Sequence, residues 1–181
     1  GGLQGAFDGV EAATLGGTAI RAALENAGNP RVDEVLMGCV LPAGQGQAPA
    51  RQAGFAAGLG EEVPATTLNK MCGSGMKAAM IAFDQIALGR ADTVIAGGME
   101  SMTNAPYLVM KARRGFRVGH QEIKDHMLLD GLEDAYDKGN LMGCFAEDCA
   151  THYGFTREAQ DRFAITSLTR AQDAIRDGSF A

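Results

Sequence analysis

The chain has 181 residues, of which 46% are hydrophobic and 21% are charged, as expected for a folded domain with at most an added lobe. This composition excludes disordered and collagen-like chains, and no apolar run approaches the roughly 20 residues that span a bilayer. The net charge of -6 makes nucleic acid or a membrane an unexpected partner. Four cysteines without short repeated spacing favour a reducing, cytoplasmic compartment.

The first hundred residues alternate between helical and strand-like segments. The predicted helices cover residues 12–27, 49–59 and 76–89. The predicted strands cover residues 32–40, 65–68 and 93–96. Gly28 is expected past the C-terminal end of the first helix, and Pro49 in the first turn of the second. Strand, helix and strand within about 30 residues form a βαβ unit, so we expect an α/β fold with a parallel-rich sheet covered by helices.

The pattern changes after Met102. Residues 111–126 are basic and contain His120 and His126, which nothing in the sequence distinguishes from surface histidines. Loop and helix without strands are expected after residue 102. The last predicted helix covers 157–177, with Thr156 as its N-cap. Its candidate buried positions are Phe163, Ile165, Leu168 and Ile175. We expect an α/β domain at residues 1–102 and an attached lobe at residues 103–181.

Cys72 is the main candidate for chemistry, because it lies in a tight turn between a predicted strand and a predicted helix. The positive end of a helix dipole and nearby backbone N–H groups favour the thiolate. Gly73 and Gly75 leave room for a bulky substrate to approach the sulfur. The alternative is that Cys72 is a small buried hydrophobic residue, as most free cysteines are.

Other residues are weaker candidates. Ser74 does not fit the Gly-x-Ser-x-Gly elbow of serine hydrolases, because no glycine stands two residues before it. Cys144, Cys149 and His152 lack the number and paired spacing of zinc ligands, so no metal is expected. Cys39 falls in a predicted strand and is expected in the core. The basic run is either a solvated loop or a segment that attracts a phosphorylated ligand.

Several motifs together resemble those of the thiolases, most closely the acetyl-CoA C-acetyltransferases (acetoacetyl-CoA thiolases) of bacterial type. The motifs lie at residues 40–47, 49–52, 69–77, 96–102, 142–143, 146–147 and 153–161. The turn around Cys72 combined with Gly97-Gly98-Met99-Glu100-Ser101-Met102 is the most specific part of the resemblance. A related class, the β-ketoacyl-carrier-protein synthases, is disfavoured by this second motif.

The resemblance implies that Cys72 carries an acyl group between CoA thioesters. Two acetyl-CoA would condense to acetoacetyl-CoA and CoA, or CoA would thiolyse acetoacetyl-CoA, as in fatty acid metabolism. Met142 matches a family position that lines the acyl-CoA pocket, and Leu141 and Leu132 are expected near it. The family's inserted lobe binds CoA and carries a tetramerisation loop, so a homo-oligomer, dimer or tetramer, is expected. No cofactor is implied, since the CoA thioester is the substrate.

Two departures from the family qualify this expectation. The family's first strand and C-terminal half have no counterpart here, and that half supplies a catalytic histidine, an asparagine and a second cysteine. The chain alone is therefore expected to be inactive, and a non-catalytic fragment that acts only in assembly is the alternative. Leu141 stands where many acetoacetyl-CoA thiolases have a histidine, so a longer 3-ketoacyl-CoA is a further possible substrate.

Overall fold

The computed structural model describes residues 2–179 and divides the chain after Ala135 into two units, each considered by itself. The α-helices of the first unit are α1 (Ala12–Asn26), α2 (Pro49–Ala56) and α3 (Ser74–Ala87). Its strands are β1 (Glu34–Gly38), β2 (Ala65–Leu68), β3 (Val94–Gly98), β4 (Tyr107–Val109) and β5 (Ile123–Asp125). The second unit contains α4 (Met142–Tyr153) and α5 (Arg157–Arg176).

The main sheet of the first unit has the strand order β2-β1-β3, and all three strands are parallel. Leu36 at the centre of β1 pairs with Thr66 of β2 and Ala96 of β3. Helix α2 connects β1 to β2, and α3 connects β2 to β3 across β1. The predicted α/β fold with parallel strands is confirmed.

Helices cover both faces of this sheet because β1 is apolar on both sides. Val35 and Met37 pack with Ala12, Ile20, Ala50 and Ala53 from α1 and α2. Leu36 points the other way and packs with Ala78 and Ala82 of α3. This alternation follows from the two-residue period of a strand, and a strand buried on both faces reads as a continuous apolar run.

The predicted helices and strands are found, with small shifts at their ends. Gly28 has a positive φ of 79° just past α1, and Pro49 begins α2, both as predicted. Strand β1 is shorter than the predicted segment 32–40, since it begins at Glu34 and ends at Gly38. Cys39 follows β1 directly and is buried, with 2% of its surface exposed.

The expectation of no strands after residue 102 was wrong. Strands β4 and β5 form an antiparallel hairpin in which Leu108 pairs with Lys124. Both strands have three residues, and Tyr107, Val109 and Ile123 are exposed, so the sequence lacks the apolar alternation that marks a half-buried strand. The hairpin belongs to the first unit. A family lobe at residues 103–181 stays a prediction, since the units divide elsewhere.

The second unit consists of helices α4 and α5 with their connecting turns. The Thr156 hydroxyl accepts a hydrogen bond from the Ala159 N–H at 3.2 Å, which confirms the predicted N-cap of α5. The burial predicted for Phe163, Ile165, Leu168 and Ile175 is wrong, because all four are exposed. Two helices bury too little surface to enclose such side chains. Within residues 2–179, no helix combines the length and apolar character needed to cross a bilayer.

Candidate functional site

Cys72 lies on a tight turn that leads from β2 into α3. Met71 adopts the left-handed conformation with φ +48°, and its N–H donates to Asn69 Oδ1 at 2.9 Å. The Ser74 hydroxyl accepts from the Lys70 N–H at 2.9 Å and donates to the Met71 carbonyl at 2.6 Å. These bonds fix the strained turn, so Ser74 is a structural hydroxyl of the turn and Cys72 is presented at its tip.

A glycine in the neighbouring strand lets α3 start close to the sheet. A Cβ on Gly38 of β1 would lie 2.5 Å from Ser74 Cβ and 3.1 Å from the Ser74 carbonyl carbon. Real Cβ atoms do not approach so closely, so a side chain at residue 38 would push the first turn of α3 outward. The position of Cys72 therefore depends on both β1 and β2.

Cys72 is exposed, two residues before the first residue of α3. The thiol therefore lies close to the N-terminal end of α3, where backbone N–H groups have no partner within the helix. Cys39 contrasts with it: burial raises the pKa of the Cys39 thiol to about 11, with a further contribution from the carboxylate of Glu100. Of these two cysteines, Cys72 is the exposed one.

The Cys72 turn borders a cavity of about 380 Å³ at the carboxyl ends of the three parallel strands. Its lining residues are Gly38, Val40, Leu41, Met71, Cys72, Ser74, Gly75, Gly98, Met99, Glu100, Met102, Met127, Gly131 and Leu132. Apart from the cysteine, the serine and the glutamate, these residues are glycines or have apolar side chains. This edge of a parallel sheet is where α/β proteins bind ligands, and the lining suits an apolar group.

Glu100 carries the negative charge in this lining. One carboxylate oxygen accepts from the Val40 N–H at 2.8 Å, and the other accepts from the Leu41 N–H at 2.9 Å. The Cys39 thiol donates to the same carboxylate at 3.5 Å. Glu100 therefore joins the segment after β3 to the segment after β1.

His126 is buried, contrary to the surface position expected for it, and only 4% of its surface is exposed. Its Nε2 accepts from the Ala43 N–H at 3.4 Å, so its Nδ1 carries the proton that is donated to Asp130 at 2.7 Å. The residue anchors the segment that supplies Met127 and Leu132 to the cavity. Its two ring nitrogens are occupied within the fold.

The structure brings two of the four predicted site residues together. Cys72 and Leu132 line the same cavity. Leu141 and Met142 lie in the second unit, where they begin α4, and both are exposed. Sequence reasoning gave Glu100 no role, although its motif follows a predicted strand and thus marks the ligand-binding edge of a parallel sheet.

Cys144, Cys149 and His152 all lie on α4. Within residues 2–179, no three His, Cys, Asp or Glu side chains are placed so that they could hold a metal ion.

Together, the fold and the cavity define an α/β protein with an exposed cysteine at an apolar pocket on the carboxyl edge of its parallel sheet. Residues 1–181 match the family model described as "Thiolase, N-terminal domain". The chain therefore belongs to the thiolase family, and the layered α/β fold is the one that this family membership implies.

Three relatives show how much of a longer protein the chain spans. It is 50% identical to an acetyl-CoA acetyltransferase of Cupriavidus necator over 94% of this chain and 44% of the relative. It is 48% identical to an acetyl-CoA acetyltransferase of Pseudomonas aeruginosa over 99% of this chain and 46% of the relative. A probable acetyl-CoA acyltransferase of Staphylococcus aureus is also 48% identical, over 97% and 45% respectively. The chain thus spans slightly less than half the length of these relatives.

Proposed function

We propose that the chain is the N-terminal part of an acetyl-CoA C-acetyltransferase in which Cys72 carries the acyl group. The observation that supports this most directly is the exposed Cys72 thiol at an apolar cavity on the carboxyl edge of the parallel sheet. The names of the Cupriavidus necator and Pseudomonas aeruginosa relatives agree with the proposed substrate.

In the proposed reaction, the Cys72 thiolate attacks the carbonyl carbon of an acetyl-CoA thioester. The bond from that carbon to the Cys72 sulfur forms as the bond to the CoA sulfur breaks, and CoA leaves as a thiolate that takes up a proton. A base removes a proton from the α-carbon of a second acetyl-CoA, and the resulting carbanion attacks the acetyl-cysteine, which gives acetoacetyl-CoA and restores the Cys72 thiolate. Because one thioester replaces another, the first step is nearly balanced in free energy.

The remaining parts of the proposal concern recognition and partners. Leu132 would contact the acyl group in the cavity, while Met142 and Leu141 would contribute to acyl-CoA binding from α4. The basic residues within 111–126 would attract the phosphates of CoA. The substrate is the CoA thioester itself, with no further cofactor, and the protein would act in the cytoplasm as a homo-oligomer. A longer 3-ketoacyl-CoA is the alternative substrate, favoured by the leucine at residue 141.

Mass spectrometry tests the role of Cys72. We expect incubation of the complete protein with acetoacetyl-CoA to add one acetyl group to the peptide that contains Cys72. Cys72→Ala should abolish this adduct and reduce kcat by more than about a thousandfold, because the covalent intermediate is lost. The melting temperature should change little, since the substitution trims an exposed side chain.

Cys144→Ser is the matched control, because Cys144 is also exposed but lies on α4. It should retain both the adduct and turnover. Turnover in Cys72→Ala, or an acetyl group on Cys144 instead, would overturn the assignment. The 181-residue chain by itself should not turn over acetoacetyl-CoA, since the family's histidine and second cysteine lie in the C-terminal half.

A second candidate function is a non-catalytic role in assembly, and it is favoured by one observation. Helix α3 buries Ala78 and Ala82 against the sheet, yet it also exposes large apolar side chains on its opposite face. We call this set the α3 stripe: Met76, Met80, Phe83 and Ile86, which are 74%, 54%, 71% and 47% exposed. Exposed apolar patches of this kind mark interaction surfaces.

A further inference from the structure

The hydrogen-bond ladder of the sheet ends just before the cavity wall formed by Val40 and Leu41. The last ladder bonds run from the Cys39 N–H to the Leu68 carbonyl at 3.0 Å and from the Met99 N–H to the Gly38 carbonyl at 2.9 Å. Beyond residue 39, the backbone N–H groups of this segment are held instead by the carboxylate of Glu100.

A carboxylate is suited to this task because it offers two acceptor oxygens. The Val40 and Leu41 N–H groups each take one of them. A glutamine would present one oxygen and one NH₂ group, and the NH₂ group cannot accept from the second N–H. Within residues 2–179, no Lys, Arg or His side chain forms an ion pair with Glu100, so its partners are the two peptide N–H groups and the Cys39 thiol.

We infer that Glu100 is a positioning residue that sets the shape of the acyl cavity beside Cys72. Its carboxylate fixes the backbone of Val40 and Leu41, and both residues line the same cavity as Cys72. The size of acyl group that reaches the sulfur therefore depends on this clamp. The part of the inference that concerns acyl groups rests on the proposed function, whereas the part that concerns cavity shape does not.

Asp33 provides a matched control at the opposite end of the same two strands. Its carboxylate accepts from the Asp92 N–H at 2.8 Å and the Thr93 N–H at 3.1 Å, so it also joins β1 to β3 through two adjacent peptide N–H groups. It lies before β1, whereas the cavity lies after the strands end. Both N–H groups bind the same oxygen, Oδ2, so Asp33→Asn removes the negative charge of this link, leaves one amide oxygen as acceptor and does not alter the cavity wall.

The experiment compares Glu100→Gln and Asp33→Asn in the complete protein. Cys72 is labelled with a small reagent, N-methylmaleimide, and with a bulky one, N-cyclohexylmaleimide, and each rate is read from the mass of the Cys72 peptide. We expect Glu100→Gln to change the ratio of the two rates by about fivefold or more, since small changes in pocket shape discriminate strongly by size. Asp33→Asn should leave the ratio within about twofold.

The same variants are then compared in thiolysis of acetoacetyl-CoA and 3-ketohexanoyl-CoA. Glu100→Gln should change the ratio of the two kcat/KM values by about fivefold or more, and Asp33→Asn should not. If the wild type is labelled by maleimides but is never acylated by CoA thioesters, the proposed function fails, while the labelling ratio still decides the role of Glu100.

If Glu100 had a purely structural role, Glu100→Gln would destabilise the protein, as Asp33→Asn would. The ratio of labelling rates and the ratio of kcat/KM values would then both stay within about twofold of the wild type. That result would overturn the inference. Hydrogen exchange supplies a measurement that does not need the variant to fold. The Val40 and Leu41 amides of the wild type should be protected from exchange, and rapid exchange of both would also overturn it.

Discussion

Cys39 and Cys72 follow neighbouring strands of the sheet, but their surroundings give them different chemistry. Burial is the main reason that the pKa of Cys39 rises to about 11, and the nearby Glu100 carboxylate adds to the shift. Cys39 therefore remains a neutral thiol at pH 7, where it donates to that carboxylate. Cys72 is exposed and lies just before the N-terminus of α3. The two cysteines differ in exposure because Cys39 directly follows the central strand β1, whereas Cys72 lies in the turn after β2.

Asp33 should make the stability of the first unit depend on pH. Hydrogen bonds from the Asp92 and Thr93 N–H groups lower the pKa of Asp33 below its usual 3.8. A carboxyl whose pKa is lowered by folding stabilises the folded state above its unfolded pKa, and this contribution is lost as pH falls through the folded pKa. The wild type should therefore be more stable than Asp33→Asn at pH 7, with a difference that shrinks below about pH 4.

Urea unfolding of both proteins between pH 7 and pH 3 measures this difference. Glu25→Gln is a suitable control, because Glu25 is an exposed carboxylate on α1. Equal stability of the wild type and Asp33→Asn at pH 7 would contradict the prediction, as would a difference that grows as pH falls.

The sequence pointed to Cys72, which lines the cavity, but not to the groups that hold the cavity wall in place. Cys72 could be predicted because its turn is local, with two glycines and a helix following it closely in the sequence. The role of Glu100 could not be predicted, because it requires β1 and β3 to be neighbours in the sheet. The segments around residues 40 and 100 do not by themselves reveal the strand order. His126 was missed for the same reason, since Ala43, one of its two partners, lies 83 residues away in the sequence.

At the scale of elements, long periodic segments were predictable and short exposed ones were not. Helices α1 and α5 were predicted to within two residues because each carries a recognisable cap. The β4–β5 hairpin was missed because a basic, exposed segment gives no apolar alternation. For α5 the error was the reverse, since burial was predicted for side chains that are exposed. An amphipathic pattern indicates which face of a helix would be buried, but burial also requires a partner within the fold.

Gly38→Ala tests how closely α3 and β1 must pack. The added Cβ would overlap Ser74, and overpacking of this kind costs about 1–3 kcal/mol of unfolding free energy. It should also move the Cys72 turn, and so reduce the rate at which Cys72 is labelled by N-cyclohexylmaleimide. Urea denaturation and the labelling assay measure the two effects.

Gly97→Ala is the control, since the nearest atom to its added Cβ is the flexible Met37 Sδ at 3.3 Å. We expect it to cost less than about 1 kcal/mol, because a thioether side chain adjusts easily. If Gly38→Ala were as stable as Gly97→Ala and were labelled at the wild-type rate, close packing of α3 on β1 would not position Cys72.

At the scale of the whole molecule, α3 carries more large apolar side chains than the first unit buries. It has apolar side chains on two opposite faces, with Lys77 and Asp84 on the side between them. In the first unit it buries one face on the sheet and leaves the α3 stripe exposed. Met76, Met80 and Phe83 have the i, i+4, i+7 spacing by which two copies of a helix pack together. The stripe therefore favours self-association of the 181-residue chain.

Phe83→Glu tests whether the α3 stripe mediates self-association of the 181-residue chain. A charge in the middle of an apolar contact would be desolvated without a partner, so the variant should shift the chain toward monomer in sedimentation velocity. Phe163→Glu makes the same change at a similarly exposed phenylalanine of α5, 78% exposed against 71%. It should sediment like the wild type. Association that persists in Phe83→Glu, or that is lost equally in Phe163→Glu, would show that copies of the chain meet elsewhere and would remove the observation that favours an assembly role.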